Sequence, residues 1–338
     1  MGSLQGASAA NADRACVHAS PAGKVRRYAV PALALAVAST LAGFEVARLH
    51  GSARWRDARL VEASSLTAAP SLSISDGNSS LAGGASGIDS LSQLAPQEQA
   101  EHLLERAIAH DTQSLEIIGK SVDEWRGHLQ NTDRLFDLVQ TALNSEDLRV
   151  RSSALEIDLA ANNLSKSPQS VAHLVQELRN DPADRSSVLW RLGALGNRGV
   201  EPKIVLAQLL NYVHDRNEET RYWAVEGLAV LGTDAAINPL LDRFAHDPSA
   251  KVRKRAGCNL AKSGMLTKQQ RLAAVPELLN AFDDDAIDAT TRGWVYGALR
   301  LITGAELGND ANAWRKWWAN RNTAAHKHPI DHSGILHA

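Results

Sequence analysis

The sequence predicts an all-α protein, a solenoid of stacked helix pairs carried behind a single N-terminal transmembrane helix. Three observations lead there. Apolar residues make up 44% of the 338, with aromatics at only 5%, and Ala and Leu dominate the set. Those two lose little on entering a helix, whereas strands favour β-branched and aromatic residues. One short pattern recurs five times, at intervals of 32 to 39 residues from Arg151 to Arg292, as an array of repeats would. Finally, an apolar run near the N-terminus carries no charge over 17 residues, Tyr28 to Phe44.

Residues 1–27 read as a disordered tail, and Lys24, Arg26 and Arg27 close it. The apolar run that follows would be about 25 Å long as a helix, against a bilayer core of roughly 30 Å. Residues 28–47 are therefore expected to anchor the chain in a membrane. Basic residues flank both ends, with Arg48, Arg54, Arg56 and Arg59 after the run, so their charge gives little bias. The simplest expectation, from Lys24, Arg26 and Arg27 directly before it, is an N-terminus in the cytoplasm and the body outside a bacterial inner membrane. A second reading stays open. Ala36-Val37-Ala38 before Ser39 has the form of a signal-peptide cleavage site, which would export the body after cleavage near Ala38. Residues 48–95 turn rich in Ser, Ala and Gly, as at Gly83-Gly84. They bury too little to order themselves and read as a flexible spacer.

The repeat occupies the segment 96–322. Each unit places an arginine, then two residues, then a small or branched apolar residue at the opening of a second helix. The five are Arg151-Ser-Ser-Ala154, Arg185-Ser-Ser-Val188, Arg221-Tyr-Trp-Ala224, Arg253-Lys-Arg-Ala256 and Arg292-Gly-Trp-Val295. An amphipathic first helix precedes each, as in Leu135 to Leu143, Val171 to Leu178 and Ile237 to Phe244, with apolar residues at three- and four-residue steps. Asp181-Pro182 and Asp247-Pro248 mark turns within pairs, and Gly196, Gly232, Gly264 and Gly304 are placed to close second helices. One such pair cannot bury its apolar face alone, but a stack can.

Asp247 to Ala256 and Glu218 to Ala224 carry the clearest likeness to a known family. They resemble the HEAT-like repeats of bacterial proteins, a family whose name is shared with bilin-lyase subunits. The resemblance covers roughly 130–305, with 96–130 as a less regular helical pair. The second repeat departs at Trp190, where a small residue would be usual, so wider packing is expected there. The resemblance implies a structural ladder in which Arg151, Arg185, Arg221, Arg253 and Arg292 bond acidic groups or turn carbonyls of neighbouring repeats.

The array ends in Asp310, placed to cap a last helix, with Trp314, Trp317 and Trp318 on one face as a lid. Residues 323–338 read as a disordered tail. Its histidines, with His326, have nothing to orient them toward a metal. Lys251, Arg253, Lys254 and Arg255 spread around a helix and read as solvated surface, and Asp283 to Asp288 as a solvated loop that lacks the glycine and closing Glu of a calcium loop.

Net charge is −2, with +4 in residues 1–63 and −6 in the remainder. An acidic body disfavours nucleic acid as a partner. The two cysteines, Cys16 in the tail and Cys258 in a helix, form no C-x-x-C pair and are not expected to bridge. No nucleophile elbow, phosphate-binding glycine loop or H-E-x-x-H run is present. No catalytic residue, cofactor or metal is expected. The expectation is a membrane-anchored scaffold for an unidentified protein partner, with Tyr222, Trp223, Trp294 and Tyr296 as candidate contact residues. The alternative is an enzyme subunit of the bilin-lyase type or another catalytic or nucleic-acid-binding HEAT protein.

Overall fold

The computed structural model describes residue 91 and residues 93–327, with side chains as far as Arg321. The expected tail 1–27, anchor 28–47 and all but a few residues of the spacer 48–95 lie outside the described residues, as do His328, His332 and His337. Among the described residues there is no strand, and no helix is long and apolar enough to cross a membrane.

The helices come in pairs. They are α1 (Pro96–Ile108) with α2 (Thr112–Trp125), α3 (Asp133–Leu143) with α4 (Leu148–Ala161), α5 (Pro168–Asn180) with α6 (Arg185–Asn197), α7 (Pro202–Tyr212) with α8 (Glu218–Leu231), and α9 (Ile237–His246) with α10 (Ala250–Ala261). The next first helix is divided into α11 (Lys268–Ala273) and α12 (Val275–Asn280), followed by α13 (Ala289–Thr303) and a closing α14 (Ala311–Lys327). Pro276 explains the division, because it lies in the first turn of α12 and has no amide to continue α11. Starts are written locally. Thr132, Asp147, Ser167, Asn217, Ser249 and Asp288 each accept a backbone N–H from the first turn of the helix they open. α14 runs past the expected boundary at residue 322, so His326 stands in a helix and not in a disordered tail.

First helices bury a stripe. α9 does so through Ile237, Leu240 and Phe244. Second helices are buried more widely, and α8 is buried at every residue from Trp223 to Leu231. It lies between α6 and α10 and packs on its own partner, α7. The approach of α6 to α8 is at backbone contact. A Cβ on Gly193 would stand 2.4 Å from the Gly227 carbonyl oxygen, and one on Gly227 2.6 Å from that of Leu189. Gly196, expected to end a helix, is instead inside α6 and buried, where a Cβ would meet Leu231 at 2.7 Å. It lets helices approach and does not stop one. Gly232 and Gly304 do close α8 and α13 in left-handed geometry.

The stack has one discontinuity, and it falls between α4 and α6. α6, α8, α10 and α13 stand side by side in the same sense: Asn197 donates to the Leu231 carbonyl at 3.2 Å, Asn259 to that of Val225 at 3.3 Å, and Arg253 to the Thr291 hydroxyl at 2.9 Å. Between α4 and α6 the contacts run in reverse order. Arg191 donates to Asn162 at 2.9 Å, while Arg198, further along α6, meets Ser152 and Glu156, which are earlier on α4. Arg151 then donates 2.6 Å to the carbonyl of Gly264, beyond the end of α10. α4 thus crosses the row of second helices near their C-terminal ends. Trp190 is fully buried. The departure expected there lies one helix earlier, in how α4 meets α6.

Candidate binding surface

The five arginines flagged by the repeat share one geometry, with one exception. Each donates back to a carbonyl at the end of the first helix or in the turn of its own pair. Arg151 reaches Ser145, Arg185 reaches Leu178 at 3.2 Å, Arg221 reaches Asp215 at 3.0 Å, Arg253 reaches Asp247 at 2.8 Å, and Arg292 reaches Ile287 at 3.2 Å. Three of them also take a carboxylate from the next pair. Arg185 stands 3.8 Å from Asp215, and Arg253 donates to Asp288 at 2.7 Å. Arg221 holds both oxygens of Asp247, at 2.9 and 3.0 Å, with both side chains buried. The Asp247 hydrogen bonds hold the Arg221 guanidinium above its ordinary range, against the opposing effect of burial. A two-pronged pair fixes direction as well as distance, so these rungs set the register of one pair on the next. Arg292 has no further pair to bond, and its Nε finds no partner. Arg151 is the exception within the array: a carbonyl stands where Arg185, Arg221 and Arg253 find a carboxylate.

A second buried link joins α8 to α10. Glu226 is fully buried and accepts from Arg255 at Nη2, 2.9 Å away, and at Nε, and from Asn259 at 3.0 Å. Burial, with the Glu226 charge adding to it, pushes the neighbouring Tyr222 hydroxyl up to about 12. The sequence gives Arg255 as surface; the structure buries it against Glu226. Of the same basic cluster, Lys251 donates to Glu219 at 2.7 Å and only Lys254 is left exposed toward solvent without such a bond. The acidic loop is likewise engaged. Asp283 accepts from Arg315 at 2.7 Å, Asp284 from His246 at 2.9 Å, and Asp288 caps α13 through the Thr291 amide at 2.7 Å.

The candidate contact aromatics divide. Trp223 is buried, its indole N–H given to Glu219 at 2.7 Å, and so has little surface to offer a partner. Tyr222, Trp294 and Tyr296 are half-buried. Lys251 lies over the Tyr222 ring, 4.8 Å from its centroid, and Tyr296 stacks on Phe282 at 4.5 Å. At the C-terminal end Asp310 accepts from the amides of Asn312 and Ala313 at 2.9 and 3.1 Å, opening α14. Trp314 is fully buried and donates to the Gly308 carbonyl at 2.9 Å, while Trp317 and Trp318 are half-buried beside it. Cys258 is disulfide-bonded, contrary to the expectation from the sequence. The chain's other cysteine, Cys16, lies outside the described residues.

Sequence reasoning missed the acceptors of the rungs, Asp215, Asp247 and Asp288. From the sequence Asp247 reads only as a turn residue and Asp288 as part of a solvated loop, and nothing singles out Asp215. Their signal is that each stands four to six residues before the next ladder arginine, Asp215 before Arg221, Asp247 before Arg253 and Asp288 before Arg292. Gly193 and Gly227 carry a cleaner signal, since they are 34 residues apart, one repeat period.

Helix pairs stacked with their second helices in a common row define an α-solenoid. A family model described as HEAT repeats matches residues 171–261, the stretch from α5 to α10, so this part of the array is similar to HEAT repeats. No curated protein and no solved structure matches the chain.

Proposed function

We propose that the chain is a scaffold that binds a protein partner along the rim where α8, α10 and α13 begin. The observation that carries this is the rung system. It holds these three helices in fixed register and leaves a row of unlike side chains facing out at their N-terminal ends: Glu219 and Tyr222, then Lys251 and Lys254, then Trp294. Half-buried aromatics beside charges of both signs are the composition of a polar-rimmed protein interface. The ladder arginines of these helices are not free to hold an anion, being bonded to carbonyls of their own pair and, for Arg221 and Arg253, to carboxylates of the next. A photo-crosslinking amino acid at Tyr222 or Lys254 should give a specific protein adduct in cells, and one at Ile204, exposed on α7, should not. Adducts at neither rim position, or at all three alike, would count against the rim.

The second part of the proposal is that residues 28–47 anchor this body at a membrane, with the body outside the cytoplasm. It rests on the uncharged run from Tyr28 to Phe44. It carries a strict condition. A single span at 28–44 puts Cys16 and the body on opposite sides, so it excludes a bridge from Cys16 to Cys258. Non-reducing electrophoresis of Cys16→Ser decides: an unchanged disulfide keeps the anchor, and a free Cys258 thiol appearing in this variant alone removes it.

A further inference from the structure

Where α4 crosses the ends of the second helices it closes a cavity of about 490 Å³, lined by residues from the start of α4, from the segment joining α10 to α11, and from the end of α13. Its charge is one-sided. Among the described residues of its lining, Arg151, Lys268 and Arg271 face one carboxylate, Glu146. Its apolar wall is Leu266 and Ile302, both buried, with Leu301 exposed at the mouth.

Two of these cations, Arg151 and Arg271, are almost fully buried, and neither forms an ion pair among the described residues, although the Glu146 charge acts on Arg151. Arg271 gives its donors to the carbonyls of Asn259, Leu260, Lys262, Ser263 and Leu266. It thereby closes the end of α10, and those carbonyls stabilise its own charge and not that of Arg151. Burial, with the nearby Arg151 charge adding to it, pulls the Arg271 guanidinium down to about 9. Arg151 is lowered as well, by burial first. Its Nε and Nη1 donate to Ser145 and Gly264, and Nη2 has no partner among the described residues. Like charges held together out of water call for a counter-charge. The ladder shows what kind. At the same position in the next three pairs, the arginine is matched by a carboxylate, Asp215, Asp247 or Asp288. At Arg151 that carboxylate is missing and the cavity stands beside it.

We infer that this cavity binds a small organic anion, whose phosphate or carboxylate head meets Arg151 and Lys268 and whose apolar body lies against Leu266 and Ile302. The head would supply, beside Nη2 of Arg151, the negative charge that an aspartate supplies in the other rungs. Because the walls come from both sides of the discontinuity, the ligand would also fasten α4 to α10 and α13. This is independent of the partner rim, which lies at the opposite ends of the same helices.

The test uses the full-length chain and four probes: inorganic phosphate, hexyl phosphate, hexanoate and the uncharged hexanol. Melting temperature is measured against probe concentration at constant ionic strength, with hydrogen exchange of α4 as a second readout. Hexyl phosphate and hexanoate should raise the melting temperature and slow exchange in α4, phosphate should do so more weakly, and hexanol not at all. Lys268 and Glu146 are exposed, so Lys268→Glu and Glu146→Gln should fold. The first should weaken hexyl phosphate binding about tenfold, the equivalent of ~1.4 kcal/mol, and the second should tighten it. A carboxylate head preferred over phosphate, or the reverse, tells which anion the site takes. The inference is overturned by no shift with any anion, by an equal shift with hexanol, or by an unchanged response in Lys268→Glu.

Discussion

The four pairs from α5 to α13 and the two pairs from α1 to α4 are built from the same helical units but joined by different rules. In the first region each second helix lies parallel to the next, and an arginine at its start crosses to the turn or cap of the following pair. In the second region α2 and α4 also run together, with Arg126 reaching the Leu164 carbonyl, but the next step fails. α4 meets α6 in reverse order, and its arginine reaches across to Gly264. The lesson is that the arginine alone does not make a rung. It needs the next pair to be stacked so that its aspartate comes within reach: Asp181 follows Arg151 by the same 30 residues that separate Asp215 from Arg185, yet Arg151 bonds Gly264 instead.

The comparison can be broken most severely at its strongest rung. Asp247→Ala leaves the buried Arg221 charge without its carboxylate and should cost about 3–5 kcal/mol of stability, seen in chemical denaturation. Replacing both partners by apolar residues should recover much of the loss, because the pair sets register more than it adds net stability. The backbone contact is the next target. Gly227→Ala forces a methyl onto the Leu189 carbonyl and should destabilise by about 1–3 kcal/mol. Gly293→Ala, with nothing near its added Cβ, should be neutral or stabilising by up to about 1 kcal/mol.

The junction itself is sharpened by pH. Burial pushes the Asp158 carboxyl up to about 6, only partly offset by Arg191 and by its bond with Asn162. An unfolded aspartate titrates near 3.9. Folding therefore loses stability as pH rises between those values, and the penalty is complete above about 6. Asp158→Asn should be more stable than the parent at pH 7, by about 1–3 kcal/mol, and the two should converge near pH 4.

The smallest effect falls on the regular side, at His246, which bridges Asp242 on α9 and Asp284 in the next turn at 3.3 and 2.9 Å. The Asp284 hydrogen bond is the main reason its pKa is raised. Its contribution is fully present below about pH 6.5 and fades as pH rises through the raised value. Exposure to solvent keeps it well under about 1 kcal/mol, so His246→Gln should lower melting slightly at pH 5.5 and not at pH 9.

The helix pairs and the arginine at each second helix were legible in the sequence because both are local. Periodicity marks a buried face, and a fixed offset from the turn marks the arginine. The acceptors were less legible, because an aspartate that caps a helix looks the same whether or not a guanidinium from the previous pair reaches it. Gly196 shows the converse limit. A glycine near a helix end reads as a stop, but here it makes room for Leu231. Arg255 read as surface because its partner, Glu226, belongs to another repeat. The reversal at α4 has no local signature at all. It follows from which pair supplies the next carboxylate, a property of the assembled stack.

The claim that the rungs join α5 to α13 into one cooperative unit, distinct from α1 to α4, is tested most directly by native-state hydrogen exchange of the parent and of Asp247→Ala. The account predicts that the slow amides of α6, α8 and α10 share one opening free energy, and that the substitution lowers all three together while those of α1 and α2 stay put. A loss confined to α8 and α10, or one that spreads equally to α1 and α2, would contradict it.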